Sequence, residues 1–161
     1  MLEPQPFFLH SERVRRNWID YNGHMHEAYY GLVFANATDA LYDHLGLGRH
    51  YRKKREASIY TVESHVNFLQ EVGVKVPLRV TTQFLDMDDK RMHIFHAMFN
   101  GETNAMIATG EAMLLHVGMA GGAHAVAFPG DVIIRLADVV TEHKRISIPE
   151  TARRTMAIAL R

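Results

Sequence analysis

Residues 20–27 read Asp20-Tyr21-Asn22-Gly23-His24-Met25-His26-Glu27. They join a predicted strand, residues 7–18, to a predicted amphipathic helix that begins near Glu27. The first amides of a helix have no acceptor within it and carry a partial positive charge, and Asp20 places a carboxylate a few residues upstream. This pairing suits acyl transfer, because the anion can activate or supply a nucleophile and the amides can stabilise an oxyanion.

The helix that follows has one apolar face. Its members recur at spacings of four, three, four and four, and they are Tyr30, Phe34, Ala37, Leu41 and Leu45. This is helical periodicity, and Gly46 suits a C-terminal cap. We therefore predict a helix of about eighteen residues, long enough to lie across a whole sheet.

Most of the remaining chain is predicted to form strands. Residues 49–56 carry five basic side chains and are expected to be an exposed connector. Four strands then follow as a predicted antiparallel meander, over residues 58–69, 78–85, 91–99 and 106–117. Pro129 opens a short helix to about residue 140, and residues 141–161 form a tail of mixed character.

This order of elements predicts an α+β fold. A strand, a long helix and four further strands place one central helix on a five-stranded antiparallel sheet, with a short C-terminal helix. Residues 1–161 are expected to form a single domain with its core at about 7–140, since a chain of this size buries roughly 70% of its unfolded surface. One helix covers only one face, so we also expect a homodimer or a dimer of dimers.

Composition argues against several classes of protein. Eighteen acidic and eighteen basic side chains cancel, so no overall basic field favours nucleic acid. No apolar run reaches the roughly 18 residues that span a bilayer, and residues 1–4 do not begin a signal peptide. The chain has no cysteine, which excludes thiolate chemistry. We expect a cytoplasmic protein that binds neither nucleic acid nor membrane.

The pattern Asp-x-x-Gly-His followed by Ala28-Tyr29-Tyr30-x-x-x-Phe34-x-x-Ala37 resembles the acyl-CoA thioesterases of the 4-hydroxybenzoyl-CoA thioesterase family, which have the hotdog fold. The resemblance covers about residues 7–140. It implies a helix wrapped by the sheet, active sites at a dimer interface and an acyl-CoA substrate. No cofactor is expected apart from the coenzyme A that the substrate carries.

By this resemblance Asp20 is the catalytic carboxylate and the backbone amide of Glu27 is the oxyanion donor. The alternative for Asp20 is an aspartate that only shapes a turn. Gly23 supplies either a positive φ or room for the thioester, or is an ordinary turn glycine. His24 either locks the loop by a hydrogen bond or acts as an acid or base. His26 is a poor N-cap, which leaves first-turn amides free for a ligand.

Other histidines are given weaker roles. His24-x-His26 lacks the spacing or a distant carboxylate partner expected of a metal site, so no metal is predicted. Three histidines on predicted strands are interpreted as interface or surface residues, namely His93, His96 and His116.

Coenzyme A presents phosphates to basic groups. Lys90 and Arg91 follow an acidic turn, at a place where the family can hold cations that contact the nucleotide, and residues 52–55 could contribute. The alternative is that these are solvated turn charges.

The acyl group is suggested by aromatic side chains near the motif and a carboxylate in the next strand. These residues are Trp18, Tyr21, Tyr29, Tyr30, Tyr60 and Glu63. Aromatic faces with a carboxylate suit a quaternary ammonium, although the aromatics can also be core or interface residues. The strings Trp18-Ile19-Asp20-Tyr21-Asn22-Gly23-His24-Met25 and Tyr60-Thr61-Val62-Glu63-Ser64-His65 resemble the betainyl-CoA thioesterases of bacterial carnitine breakdown, which release glycine betaine and CoA.

Three functions remain open at this point. The first is an acyl-CoA thioesterase acting on a short acyl-CoA, with betainyl-CoA favoured. The second is a hotdog dehydratase or hydratase, which would use a paired histidine and carboxylate, but His24 and Asp20 do not match that spacing. The third is a non-catalytic acyl-CoA-binding module. Release of free thiol from acyl-CoAs separates the first from the others.

Overall fold

The computed structural model describes residues 3–154 and 156–158, so residues 155 and 159–161 of the predicted tail lie outside it. The strands are β1 (Phe7–Arg13), β2 (Ala57–Phe68), β3 (Pro77–Met87), β4 (Arg91–Asn100), β5 (Met106–Gly118) and β6 (His124–Ala125). The helices are α1 (Glu27–His44), α2 (Arg49–Arg55) and α3 (Gly130–His143). The predicted first strand is shorter than expected, because residues 16–18 form a 3₁₀ turn instead.

The sheet is antiparallel, in the order β1-β3-β4-β5-β2, with the two-residue β6 added to β5. The predicted meander is right for β3, β4 and β5 and wrong for β2, which pairs with β5 rather than β3. Residues 69–76 must therefore cross the sheet from its edge strand β2 to β3, which lies next to the opposite edge strand β1. Backbone hydrogen bonds hold this crossover against segments outside the sheet. The Val14 amide donates to the Val76 carbonyl, and the Met25 amide donates to the Val72 carbonyl.

Helix α1 packs on the sheet as predicted. Four of its five expected apolar residues are buried, namely Tyr30, Phe34, Ala37 and Leu41. The helix ends one residue before Leu45, and Gly46 follows with a φ of +68°, the left-handed conformation expected of a capping glycine. No helix in the described part of the chain is long and apolar enough to cross a membrane.

The predicted exposed connector at residues 49–56 is wrong, because residues 49–55 form α2. Its central Tyr51 is buried, and the Tyr51 hydroxyl lies 2.8 Å from Nε2 of His116. The basic side chains on either side of Tyr51 stay exposed. The Tyr51 ring anchors this strongly charged helix to the core.

The three strand histidines interpreted as surface or interface residues are buried. His96 lies beneath α1, with Nε2 2.9 Å from Thr38 Oγ1 and Nδ1 2.9 Å from Thr82 Oγ1. Burial lowers the pKa of His96 to about 3, so its ring is neutral at physiological pH. Burial also lowers the pKa of His116, and His93 pairs with Glu111 at 2.6 Å. Hydrogen-bond partners from other segments satisfy both nitrogens of His96 and His116, and Nε2 of His93 pairs with Glu111, while Nδ1 of His93 has no partner among the described residues.

Gly110 lets α1 approach β5 closely. A Cβ at this position would lie 2.7 Å from Cδ2 of Phe34. We expect Gly110→Ala to lower the free energy of unfolding by about 1–3 kcal/mol, because the ring must shift in a packed core. Urea denaturation followed by circular dichroism measures the change. Gly31→Ala is the matched control, since Gly31 lies on the exposed side of α1 with nothing within 4 Å of the added methyl. Equal stability of the two variants would contradict the packing argument.

Candidate active site

The segment before α1 is a tight loop closed by backbone hydrogen bonds between its two ends. The Asp20 amide donates to the His24 carbonyl at 2.9 Å, and the Gly23 amide donates to the Asp20 carbonyl at 3.0 Å. Gly23 has a φ of +83°, which a residue with a side chain rarely adopts. Since nothing lies within 4 Å of a Cβ built there, the glycine supplies conformation, and the space beside it is open.

The Asp20 carboxylate has two different oxygens. Oδ1 accepts a hydrogen bond from the Asn22 amide at 2.8 Å, so this oxygen does shape the turn. Oδ2 has no hydrogen-bond partner in residues 3–154 or 156–158. The turn-shaping and chemical interpretations of Asp20 are therefore compatible, because one oxygen fixes the group and leaves the other for a ligand.

The N-terminus of α1 is held close to this loop. The His26 amide donates to the Trp18 carbonyl at 2.8 Å. The expectation that His26 is a poor cap is wrong, because its Nδ1 accepts from the Ala28 amide at 3.1 Å. The Tyr29 amide donates to the His26 carbonyl at 3.0 Å. Within the described residues, the Glu27 amide is the first-turn donor left without an acceptor.

An open cleft of about 910 Å³ lies between this loop and the end of β2. It is lined by Asp20, Tyr21, Asn22, His24, Met25, His26, Glu27, Tyr30, Phe68, Leu69, Gln70 and Glu71. In the described ranges 3–154 and 156–158, the lining contains three carboxylates and no lysine or arginine. Among the residues that the structure describes, no three histidine, aspartate or glutamate side chains are grouped as a metal site. The cleft is thus an acidic pocket with aromatic walls.

Residues 68–71 were not predicted to belong to the site. The sequence pattern predicted that a strand ends at residue 69 and that the next strand of an antiparallel meander follows. The Tyr30 hydroxyl donates to the Gln70 carbonyl at 3.2 Å, and the Phe68 ring meets the Tyr30 ring edge to face at 5.2 Å. His24 Nδ1 lies 3.3 Å from Glu71 Oε2, a contact that ties the loop to the crossover. The only sequence signal was the position of these residues directly after a predicted strand.

The predicted aromatic residues do not form one group. Tyr30 lines the cleft and Tyr21 stands at its mouth with 97% of its surface exposed. Trp18 and Tyr29 instead stack on each other at 5.1 Å and lie outside the cleft lining. Trp18 is buried, which supports the structural alternative for that residue.

The other two predicted substrate contacts, Tyr60 and Glu63, lie far from Asp20 in the same chain. Tyr60 and Glu63 precede Phe68 by eight and five residues along β2, which corresponds to roughly 26 and 16 Å. Five residues in a strand also put Glu63 and Phe68 on opposite faces of the sheet. Glu63 is exposed in the single chain.

Lys90 and Arg91 also lie away from the cleft. Arg91 on β4 is paired with Leu115 on β5, and Leu115 is paired with Tyr60 on β2. The turn that holds Lys90 and Arg91 therefore lies near the start of β2, at the end opposite the cleft. Asp88 Oδ1 accepts from the backbone amides of Lys90 and Arg91, and Asp88 Oδ2 lies 2.8 Å from Nε of Arg91. The Arg91 charge is already paired within the turn.

Comparison with known proteins identifies the family to which the chain belongs. The model of the thioesterase-like superfamily matches residues 14–153. The chain is 40% identical to a betainyl-CoA thioesterase from Pseudomonas aeruginosa, over 90% of this chain and 91% of that protein. It is 42% identical to an L-carnitine dehydrogenase/betainyl-CoA thioesterase from Agrobacterium fabrum, over 91% of this chain but 30% of that longer protein.

Solved structures agree on the fold. The Staphylococcus aureus protein SAV2348, determined in complex with CoA, is 26% identical and matches with a TM-score of 0.86 over 99% of both chains. A DHNA-CoA thioesterase from the same species is 16% identical, with a TM-score of 0.75 over 87% of this chain and 95% of that one. These similarities, with the helix packed on an antiparallel sheet described above, confirm the predicted α+β hotdog fold.

Proposed function

The chain belongs to the thioesterase-like superfamily, and we propose that it is an acyl-CoA thioesterase that hydrolyses betainyl-CoA to glycine betaine and CoA. The observation that carries this proposal is the acidic cleft, in which Asp20 lies at the free N-terminal amide of α1. A trimethylammonium group complements a pocket that, in the described part of the chain, is lined by three carboxylates and by no lysine or arginine. A relative of similar length is named for this reaction.

The proposed chemistry uses Asp20 and one backbone amide. With Oδ1 held by the Asn22 amide, Oδ2 takes a proton from water, whose oxygen attacks the thioester carbonyl. Direct attack by Oδ2, followed by hydrolysis of an anhydride, is the alternative. In both routes the carbonyl oxygen becomes an oxyanion that accepts a hydrogen bond from the Glu27 amide, and collapse expels the CoA thiolate. We propose that no separate cofactor takes part and that the protein is cytoplasmic.

A dehydratase or hydratase would use a paired histidine and carboxylate, and the structure contains such a pair away from this cleft. His93 and Glu111 are 0% and 3% exposed, and the Arg153 amide covers Glu111 with a 2.9 Å hydrogen bond. Neither side chain lines the Asp20 cleft. A pair closed off from solvent supports a structural role. The binding-module alternative is tested by turnover, as follows.

We propose that the chain forms a homodimer through the edge of β2, and that two dimers can associate further. Residues 60–64 are exposed along this unpaired edge, including Val62 with 54% of its surface accessible. Exposed strand edges pair readily, and two-fold symmetry makes the new pair antiparallel. Pairing centred near residues 62–63 would set residue 57 of one copy beside residue 68 of the other.

This arrangement would supply the cations that the cleft lacks. Helix α2 ends two residues before β2 begins, so the partner's α2 would lie beside the Asp20 cleft. The basic side chains of α2 are exposed, and Arg55 pairs with Asp131 at 2.8 Å. We propose that these cations bind the phosphates of CoA, with Lys90 and Arg91 at the same end of the sheet.

We expect Asp20→Asn to lose at least about 100-fold in kcat, because the amide cannot act as a base or nucleophile. The fold should be kept, since the asparagine oxygen can still accept from the Asn22 amide. Thiol release from betainyl-CoA, followed with a chromogenic thiol reagent, measures the loss. Asp138→Asn on the exposed side of α3 is the control. Near-normal turnover of the Asp20 variant would remove Asp20 from the mechanism.

Glu27→Pro isolates the proposed oxyanion donor. Proline is well tolerated at the first position of a helix, and His26 already has the extended backbone that precedes proline. The substitution therefore removes the amide hydrogen and preserves the helix. We expect a fall in kcat of about 100- to 1,000-fold, while Glu27→Gln, which keeps the amide, retains activity. Similar kcat values for the two variants would show that this amide is not the donor.

Val62→Glu tests the proposed dimer edge, because it places like charges where two β2 strands would meet. Light scattering at micromolar concentration should give a dimer for the unsubstituted chain and a shift toward monomer for the variant. KM for betainyl-CoA should rise, since the partner's cations are lost. Ile134→Glu is the control, because Ile134 is 65% exposed on α3, away from this edge. A monodisperse monomer of the unsubstituted chain would contradict the assembly.

A further inference from the structure

We propose that Glu71 is the residue that makes the Asp20 cleft prefer cationic acyl groups. The proposal rests on the thioesterase function proposed above and assigns its substrate specificity to one side chain. The sequence pattern pointed instead to Glu63, which lies on the other face of the sheet and roughly 16 Å along β2 from the cleft.

The backbone of Glu71 is fixed on both sides although its side chain is exposed. Before it, the Gln70 amide donates to the Ile107 carbonyl at 3.1 Å and the Gln70 carbonyl accepts from the Tyr30 hydroxyl. After it, the Val72 carbonyl accepts from the Met25 amide at 2.8 Å, and the Val72 side chain is buried. The backbone position of Glu71 is therefore set by the same contacts that build the cleft, and its side chain extends from a fixed point on the cleft wall.

The charge of Glu71 acts inside the cleft. Burial first, and the negative charge of Glu71 second, raise the pKa of the Tyr30 phenol. The polar contact of the Glu71 carboxylate is Nδ1 of His24 at 3.3 Å, and its side chain is 73% exposed. Among the described residues of the same chain, no lysine or arginine lines the cleft. Within one chain the Glu71 carboxylate is therefore open to a cation from a ligand.

Aromatic rings complete a site of the right chemistry next to this carboxylate. Phe68 and Tyr30 meet edge to face at 5.2 Å, and Phe68 remains exposed to the cleft. Ring faces attract ammonium groups, and the attraction is larger when a carboxylate lies on the same side. Phe68, with 54% of its surface exposed, offers its ring to a trimethylammonium group on the same cleft wall as Glu71, and the buried Tyr30 holds that ring in place. The set predicted from sequence does not share one wall.

The covalent geometry of the substrate favours this position over Glu63. In a betainyl thioester the nitrogen lies two bonds from the carbonyl carbon, or about 2.5 Å. A carbonyl within reach of Asp20 therefore keeps the cation within the same cleft. Glu71 lines that cleft, whereas Glu63 of the same chain does not.

The test compares two esters of equal shape, betainyl-CoA and tert-butylacetyl-CoA, in which carbon replaces the charged nitrogen. The readout is the ratio of their kcat/KM values from thiol release. We expect Glu71→Gln to lower the ratio of betainyl-CoA to tert-butylacetyl-CoA about fivefold, because only the cationic ester loses an interaction. A fivefold change is about the size expected for one charge contact in a solvated cleft. Glu71→Asp, which keeps the charge, should retain most of the ratio, and Glu63→Gln should leave it unchanged.

Each other outcome has a defined meaning. An unchanged ratio in Glu71→Gln, or equal losses on both esters, would overturn the inference while leaving the thioesterase function standing. A reduced ratio in Glu63→Gln alone would assign charge recognition to the β2 edge instead. Glu71→Ala, a second neutral variant, must reproduce the effect of Glu71→Gln, and circular dichroism verifies that each variant is folded. If the unsubstituted chain releases thiol from neither ester, the proposed function itself fails and the inference with it.

Discussion

The hydrogen bond from the Met25 amide to the Val72 carbonyl is the constraint on which the site depends. Both residues are buried, and an unpaired buried backbone group costs about 1–3 kcal/mol, so the bond is required once the chain folds this way. It joins the loop before α1 to the crossover between β2 and β3. Asp20 lies on one side of this junction and Glu71 on the other. The two walls of the cleft are therefore one structural unit.

That unit explains how an exposed site can hold its groups in fixed positions. Loop side chains normally sample many conformations, but here one oxygen of Asp20 is bound by the Asn22 amide and the amide of His26 is bound by the Trp18 carbonyl. The Glu27 amide is left unpaired by the same geometry. A trimethylammonium group keeps its charge throughout the reaction. A carboxylate that binds it stabilises substrate and transition state alike, which lowers KM more than it raises kcat.

The features predicted correctly from the sequence are those with local causes. The period of α1 follows from side-chain spacing, and the positive φ of Gly23 follows from a turn that other residues rarely tolerate. The errors concern contacts between distant segments. Strand pairing depends on which edge a strand meets, so the pairing of β2 with β5 could not be read from the order of strands. Glu71 was missed for this reason. His96 was misjudged because its two threonine partners come from α1 and β3.

The distribution of charge along the chain gives a physical reason for the proposed homodimer. Betainyl-CoA carries a cation at its acyl end and phosphates at its nucleotide end, so its binding site needs acidic and basic regions a short distance apart. In one chain the acidic cleft lies at the end of β2 and the basic helix α2 lies at its start, twelve residues or roughly 40 Å away. Antiparallel pairing of two β2 edges brings the start of one strand to the end of the other. In the proposed dimer the two-fold axis would convert a separation within one chain into proximity between two chains, at both sites at once.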